Sequence, residues 1–198
     1  MASNADRGSK LYEIAERQAG YFTAAQAVEA GYSYTAQNYH RKTGNWVRYG
    51  WGIYRLANFP HSPEEESVRL MLWSRNRAGV TQAAVSHESA LRAYGLSDVL
   101  PSETHLTVPK GFRKEPPDGV ILHRAELSSN DVGERDGYRI TTPLRTLIDV
   151  AASPLSPEHL EAATSEVLER GLVRRRTLEA AVHVAPLKVQ ERLGFLEL

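Results

Sequence analysis

Residues 23–56 read TAAQAVEAGYSYTAQNYHRKTGNWVRYGWGIYRL, and the folding of this stretch decides the architecture of the chain. Thr23 can cap a helix, and Gln26 three residues later completes a capping box. Ala24, Ala27, Val28 and Ala30 then form a small, closely packing helix. Gly31 ends it, because glycine takes the left-handed conformation that helix ends often need. Ser33 caps a second helix running to about Thr43. Trp46–Tyr49 and Gly52–Leu56 can pair across Gly50-Trp51, a two-residue turn with glycine first, as a type II′ turn requires. Helix, turn, helix and ribbon, in that order, predict a winged helix-turn-helix, whose second helix enters a groove of DNA.

The second predicted helix carries matching chemistry. Tyr34, Thr35, Gln37, Asn38, Arg41 and Lys42 all have polar tips. Gln37 and Asn38 can pair two-pronged with adenine, and Arg41 with guanine. Ser33, Thr35 and Lys42 suit phosphate oxygens, which fix register. Ala36, Tyr39 and His40 are expected to pack inward. In the ribbon, Arg48, Tyr49 and Trp51 lie near the tip, with Arg48 in reach of a phosphate or the minor groove. Residues 33–56 hold Arg41, Lys42, Arg48 and Arg55 and no acidic residue.

The whole chain is neutral, with 24 Lys/Arg and 24 Asp/Glu, but its charge is unevenly placed. Residues 1–60 carry seven Lys/Arg and four Asp/Glu, a net +3, and residues 61–198 carry the opposing −3. A basic front agrees with nucleic-acid contact. The 198 residues are 41% hydrophobic and 24% charged, an ordinary globular composition with room for proper cores. Cysteine is absent, which removes disulfides and thiolate metal sites and suits the cytoplasm. No apolar run is long enough to cross a membrane, and MASNADRGSK has no apolar stretch of the signal-peptide kind.

Elsewhere the pattern predicts a supporting helix over Lys10–Gln18 and a break at Asn58-Phe59-Pro60-His61-Ser62-Pro63. The expected domains are therefore 10–60 and 61–185. A helix capped by Ser62, with Pro63 at its first position and Glu65 completing a second capping box, should open the second, followed by a short helix over Ser86–Tyr94. Strands are expected at Thr104–Val108, Val120–Arg124 and Tyr138–Thr141. Thr142-Pro143 and Ser156-Pro157 each open a helix, and a further helix is predicted over Leu172–Val182. From about Pro186 no firm pattern shows. The fold class is α+β: a winged helix-turn-helix, then a mixed α/β domain around a small sheet.

Three segments together resemble one family: SHESALRAYGLSDVLPSETHLTVP (86–109), VILHRAEL (120–127) and DGYRITTPLRTLIDVAA (136–152). They look like the second domain of AbiEi-type antitoxins, and GIYRLANFP (52–60) looks like the end of that family's winged helix. The resemblance implies a bacterial type IV toxin–antitoxin pair whose toxin resembles a nucleotidyltransferase. It implies an antitoxin that binds double-stranded DNA in its own promoter, represses the operon, and counters the toxin without a stable complex. It assigns the DNA role to Ser33–Lys42 and Arg48–Trp51, and implies neither a catalytic residue nor a cofactor. Monomer and homodimer on DNA both remain open. Arg139, Arg145 and Arg174–Arg176 are candidates to extend the DNA surface, though solvated faces and ion pairs explain them as well.

Two other classes compete. A winged helix can serve as a regulator without a toxin, or as a protein-interaction module. The weaker rival is a metal-dependent nuclease built on His87, Glu88, His105, His123 and Asp149. No two of these histidines have the one-turn spacing of a metal-binding helix, so no metal is expected.

Overall fold

The computed structural model describes residues 4–50 and 52–194. Trp51 lies outside them, and with it any side-chain role at the ribbon tip. Contacts divide the chain into one unit of residues 1–82 with 136–138, and another of 83–135 with 139–198.

The first unit begins with α1 (Asn4–Glu16), β1 (Tyr21–Thr23), α2 (Ala24–Glu29) and α3 (Tyr34–Lys42). It continues with β2 (Trp46–Arg48), β3 (Ile53–Leu56) and α4 (Glu65–Ser74). The three strands form an antiparallel sheet in the order β1-β3-β2. Register is fixed by pairs such as Phe22↔Tyr54 and Val47↔Arg55. β1 is too short to show alternation; it exists because Phe22 and Tyr21 are buried where the sheet meets the helices. Leu11, Ala15, Phe22, Ala27, Ala30, Tyr32 and Trp46 make the core, with Ile14 and Ala36 against it. Leu11, Ile14 and Ala15 recur at the helical period, which is why α1 supports the module. Gly20 takes a positive φ, and an added Cβ there would lie 2.6 Å from the Phe59 ring, so both backbone and space demand glycine.

Two expectations change here. The ribbon's last ladder bond runs from the Tyr49 N–H to the Ile53 carbonyl, and the Ile53 N–H donates to the Gly50 carbonyl. Residues 50–52 therefore connect the strands, three residues where a two-residue turn is expected. The helix after the linker starts at Glu65, not at Pro63, with Glu64 as its cap residue. The Ser62 N–H does donate to Glu65 Oε1 at 2.9 Å, half of the expected box. The same carboxylate takes Arg55 and His61, and these contacts tie α4 to the strands of the first unit. The contact boundary accordingly falls after Gln82, whereas the two-proline break suggests one near residue 60.

The second unit contains a five-stranded mixed sheet in the order β6-β5-β4-β8-β7. Its strands are β4 (Ala84–Val85), β5 (Thr104–Val108), β6 (Val120–Arg124), β7 (Val132–Arg135) and β8 (Tyr138–Thr141). β5 runs parallel to β6 and antiparallel to β4, which runs parallel to β8. Helices α5 (His87–Tyr94), α6 (Pro143–Ala152), α7 (Pro157–Glu169), α8 (Arg175–His183) and α9 (Leu187–Gly194) bury a core around Leu91, Leu147, Leu160, Val167 and Leu178. α9 has no sequence signal beyond Val189 and Leu193, yet both are fully buried. It is also held by cations: Lys188 and Arg192 donate to the carbonyls of Ala152 and Ala151 at the end of α6. Positive groups at a helix C-terminus satisfy orphan carbonyls and oppose the dipole.

Candidate nucleic-acid interface

Both helices of the helix-turn-helix start as the sequence predicts. The Gln26 N–H donates to Thr23 Oγ1 at 3.2 Å, and the Thr23 N–H to Gln26 Oε1 at 2.9 Å. The Ala36 N–H donates to Ser33 Oγ at 3.2 Å, so Ser33 serves its own helix while remaining exposed. Gly31 has φ +99° in the turn between the helices.

α3 turns a face inward that differs from the expected one in one member: Ala36 and His40 pack inward as expected, but Gln37 does so in place of Tyr39. Gln37, expected to read adenine, is 3% exposed. Its Nε2 donates to the carbonyls of Ala24 and Tyr32, at 3.2 and 3.3 Å. It clamps the first helix and the turn, and is no reader. Tyr39, expected inside, is 62% exposed. Ala36, Gln37 and His40 make the true inner stripe, and His40 stacks on Trp46 at 4.8 Å. Burial, then Arg7, holds the His40 pKa below its ordinary value. The outward face therefore consists of Tyr34, Thr35, Asn38, Tyr39, Arg41 and Lys42, all exposed. Arg41 Nη2 donates to Asn38 Oδ1 at 2.9 Å.

On the ribbon Arg48 is exposed. Tyr49 is partly withdrawn, its ring edge-on to Tyr21 with centroids 5.1 Å apart. Arg55 adds no surface charge: it is 2% exposed, and its Nη2 donates to the carbonyls of Phe59 and Pro60, both at 2.9 Å, and reaches Glu65 Oε1 at 3.4 Å. Burial works against the Glu65 carboxylate. The Ser62 N–H, His61 and Arg55 outweigh it and hold the pKa below its usual value. Glu65, expected only as the partner in a capping box, also takes Arg55 and His61. The cationic surface of α3 and the ribbon thus rests on Arg41, Lys42 and Arg48, with no acidic residue between Glu29 and Glu64.

The residues of the enzymatic alternative partly converge in the second unit. His105 Nδ1 lies 2.9 Å from Glu88 Oε2 and 3.1 Å from His123 Nε2. His123 stacks face-to-face on His87, with centroids 3.5 Å apart. Burial first, then His123, lowers the His87 pKa to about 3. Burial opposes the Glu88 carboxylate, but His105 brings its pKa down to about 2. Neutral His87 and His123 against one Glu88–His105 pair form a packed polar cluster. Beneath it, Thr107 donates to Ser86 Oγ at 2.8 Å. Asp149 stands apart, paired with Arg145 Nε at 2.9 Å. Among the described residues no group of three or more such side chains is placed to hold a metal ion. Arg145, proposed for DNA, is engaged by Asp149 and Asp131, while Arg174–Arg176 are exposed.

Comparison with known proteins agrees with this division. Residues 9–57 match the family described as "Transcriptional regulator, AbiEi antitoxin". Residues 82–197 match the "AbiEi antitoxin C-terminal domain". No curated protein matches. Among solved structures, the RV2827C protein from Mycobacterium tuberculosis is similar in fold, with TM-score 0.59 and 18% identity over 96% of this chain and 75% of that one. With a regulator module in front and the antitoxin domain covering more than half its length, the chain belongs to the AbiEi antitoxin family.

Proposed function

We propose that this antitoxin represses its own operon through α3 and the β2–β3 ribbon, and counters a nucleotidyltransferase-like toxin encoded beside it. The observation that supports the reading most is the outward face of α3. It is polar and cationic, lies on a capped helix propped by α1 and α2, and has the Arg48 ribbon alongside. Phosphate contacts from Lys42 and Arg48 position the protein, and the remaining face reads bases. The protein acts in the cytoplasm, without a cofactor, without catalysis, and without a stable complex with its toxin. No helix among the described residues is long and apolar enough to cross a membrane.

The test uses the full chain and the duplex upstream of its own gene. Repression of a reporter and band-shift binding are expected to need Arg41 and Lys42. Protection from the neighbouring gene's toxicity is expected to survive their loss. A chain that neither shifts that duplex nor represses the reporter contradicts the DNA role. A neighbouring gene that is harmless when expressed alone contradicts the toxin assignment.

A further inference from the structure

Asn38 and Arg41 sit one turn apart on the outward face of α3, where side chains three residues apart meet. Arg41 Nη2 donates to Asn38 Oδ1 at 2.9 Å, and both residues are exposed. An asparagine that reads adenine must accept from N6–H with Oδ1 while its amide donates to N7. Here one of the oxygen's two lone pairs already accepts from Arg41, which fixes the amide plane toward the guanidinium. A guanidinium has five N–H donors, so spending one on Asn38 leaves two parallel donors to span O6 and N7 of guanine. A long side chain fixed before binding also loses less freedom on binding.

We infer that Asn38 is a positioning residue that holds Arg41 against a guanine, and that it reads no base itself. This rests on the DNA-binding role proposed above. With Gln37 buried, Asn38 is the one outward residue of α3 suited by type to adenine, and its oxygen is engaged by Arg41. The operator should be fixed by a guanine opposite Arg41, with no adenine specified by this helix.

Selection of the full chain against a randomised duplex pool tests this, with Arg41→Ala, Asn38→Ala and Asn38→Asp beside the native protein. Arg41→Ala is expected to lower discrimination at one guanine about tenfold or more, the loss of a two-pronged contact. Asn38→Ala should weaken the preference at that same guanine about threefold, as loss of a buttress should. Asn38→Asp restores the acceptor and should recover the preference, with weaker binding overall. If Asn38→Ala instead erases an adenine while the guanine preference stands, Asn38 reads a base and the inference falls. It falls equally if Asn38→Asp matches Asn38→Ala at the guanine. A native chain that enriches no motif at all defeats the DNA-binding role itself, a separate outcome.

Discussion

The outward face of α3 and the histidine cluster of the second unit both gather polar side chains, and they treat them in opposite ways. Asn38, Arg41 and Lys42 are left in solvent with few intramolecular partners, so little of their hydrogen-bonding capacity is spent on the fold. His87, Glu88, His105 and His123 are packed on one another and on Ser86. Their partners are already chosen. The polar groups of α3 therefore remain available to a ligand, and those of the cluster are invested in structure. The left-handed φ of +51° at His87 belongs to that investment. Such strain costs about 1–3 kcal/mol and persists only where surrounding contacts impose it.

Changes at inward polar groups should cost stability, and changes at outward ones should cost binding alone. The largest effect is expected at Arg55. Arg55→Ala leaves Glu65 without its buried partner and strips donors from the carbonyls of Phe59 and Pro60. Urea unfolding should show a loss of about 3 kcal/mol. Arg41→Ala, also a removed guanidinium, should stay within about 0.5 kcal/mol. Equal losses would erase the contrast.

Acid comes next. His87 has a folded pKa of about 3 against an ordinary 6.5, so the unfolded chain binds the proton first. Its contribution is fully present above pH 6.5 and is lost as pH falls toward 3. The slope approaches about 1.4 kcal/mol per pH unit. Glu88, held near 2, adds a further loss below its ordinary 4.5. Unfolding midpoints measured across this range should fall on acidification, and His87→Gln should flatten the part between pH 6.5 and 4.5. A profile unaffected by that substitution would mean that His87 titrates normally.

Gln37→Ala should cost about 1–2 kcal/mol through its two lost bonds to Ala24 and Tyr32. It should leave sequence preference intact once folded. A changed preference would return Gln37 to the reading face. The smallest effect is expected at Lys42. Lys42→Ala should weaken binding to all duplexes alike and lower the slope of log K against log salt by about one.

Much of this was legible in the residues because caps and turns act locally. Thr23–Gln26, Ser33, Thr142-Pro143 and Ser156-Pro157 each place a helix start through their own side chains. The strands at 104–108, 120–124 and 138–141 show in their β-forming residues and flanking turns. β4 and β7 did not show, since two and four residues carry no period and depend on their neighbours in the sheet. α9 escaped because its anchors are the carbonyls of α6, far away in sequence. The candidate site was legible as an element but not as a face. On a helix of nine residues Gln37 and Tyr39 both flank the Ala36–His40 stripe, and only the bonds from Gln37 to the carbonyls of Ala24 and Tyr32 decide which of them turns inward. Arg55 misled for a related reason: composition counts its charge, and burial removes that charge from the surface.

The outward face of α3 is the proposed meeting point with DNA. The most direct measurement is binding of the full chain, native and with Asn38→Ala, Arg41→Ala and Lys42→Ala combined, to the duplex upstream of its gene and to an unrelated duplex. Unfolding midpoints are measured alongside. The native chain is expected to prefer its own duplex, and the triple variant to lose that preference at an unchanged midpoint. A triple variant that still distinguishes the two duplexes as the native chain does would contradict the proposal.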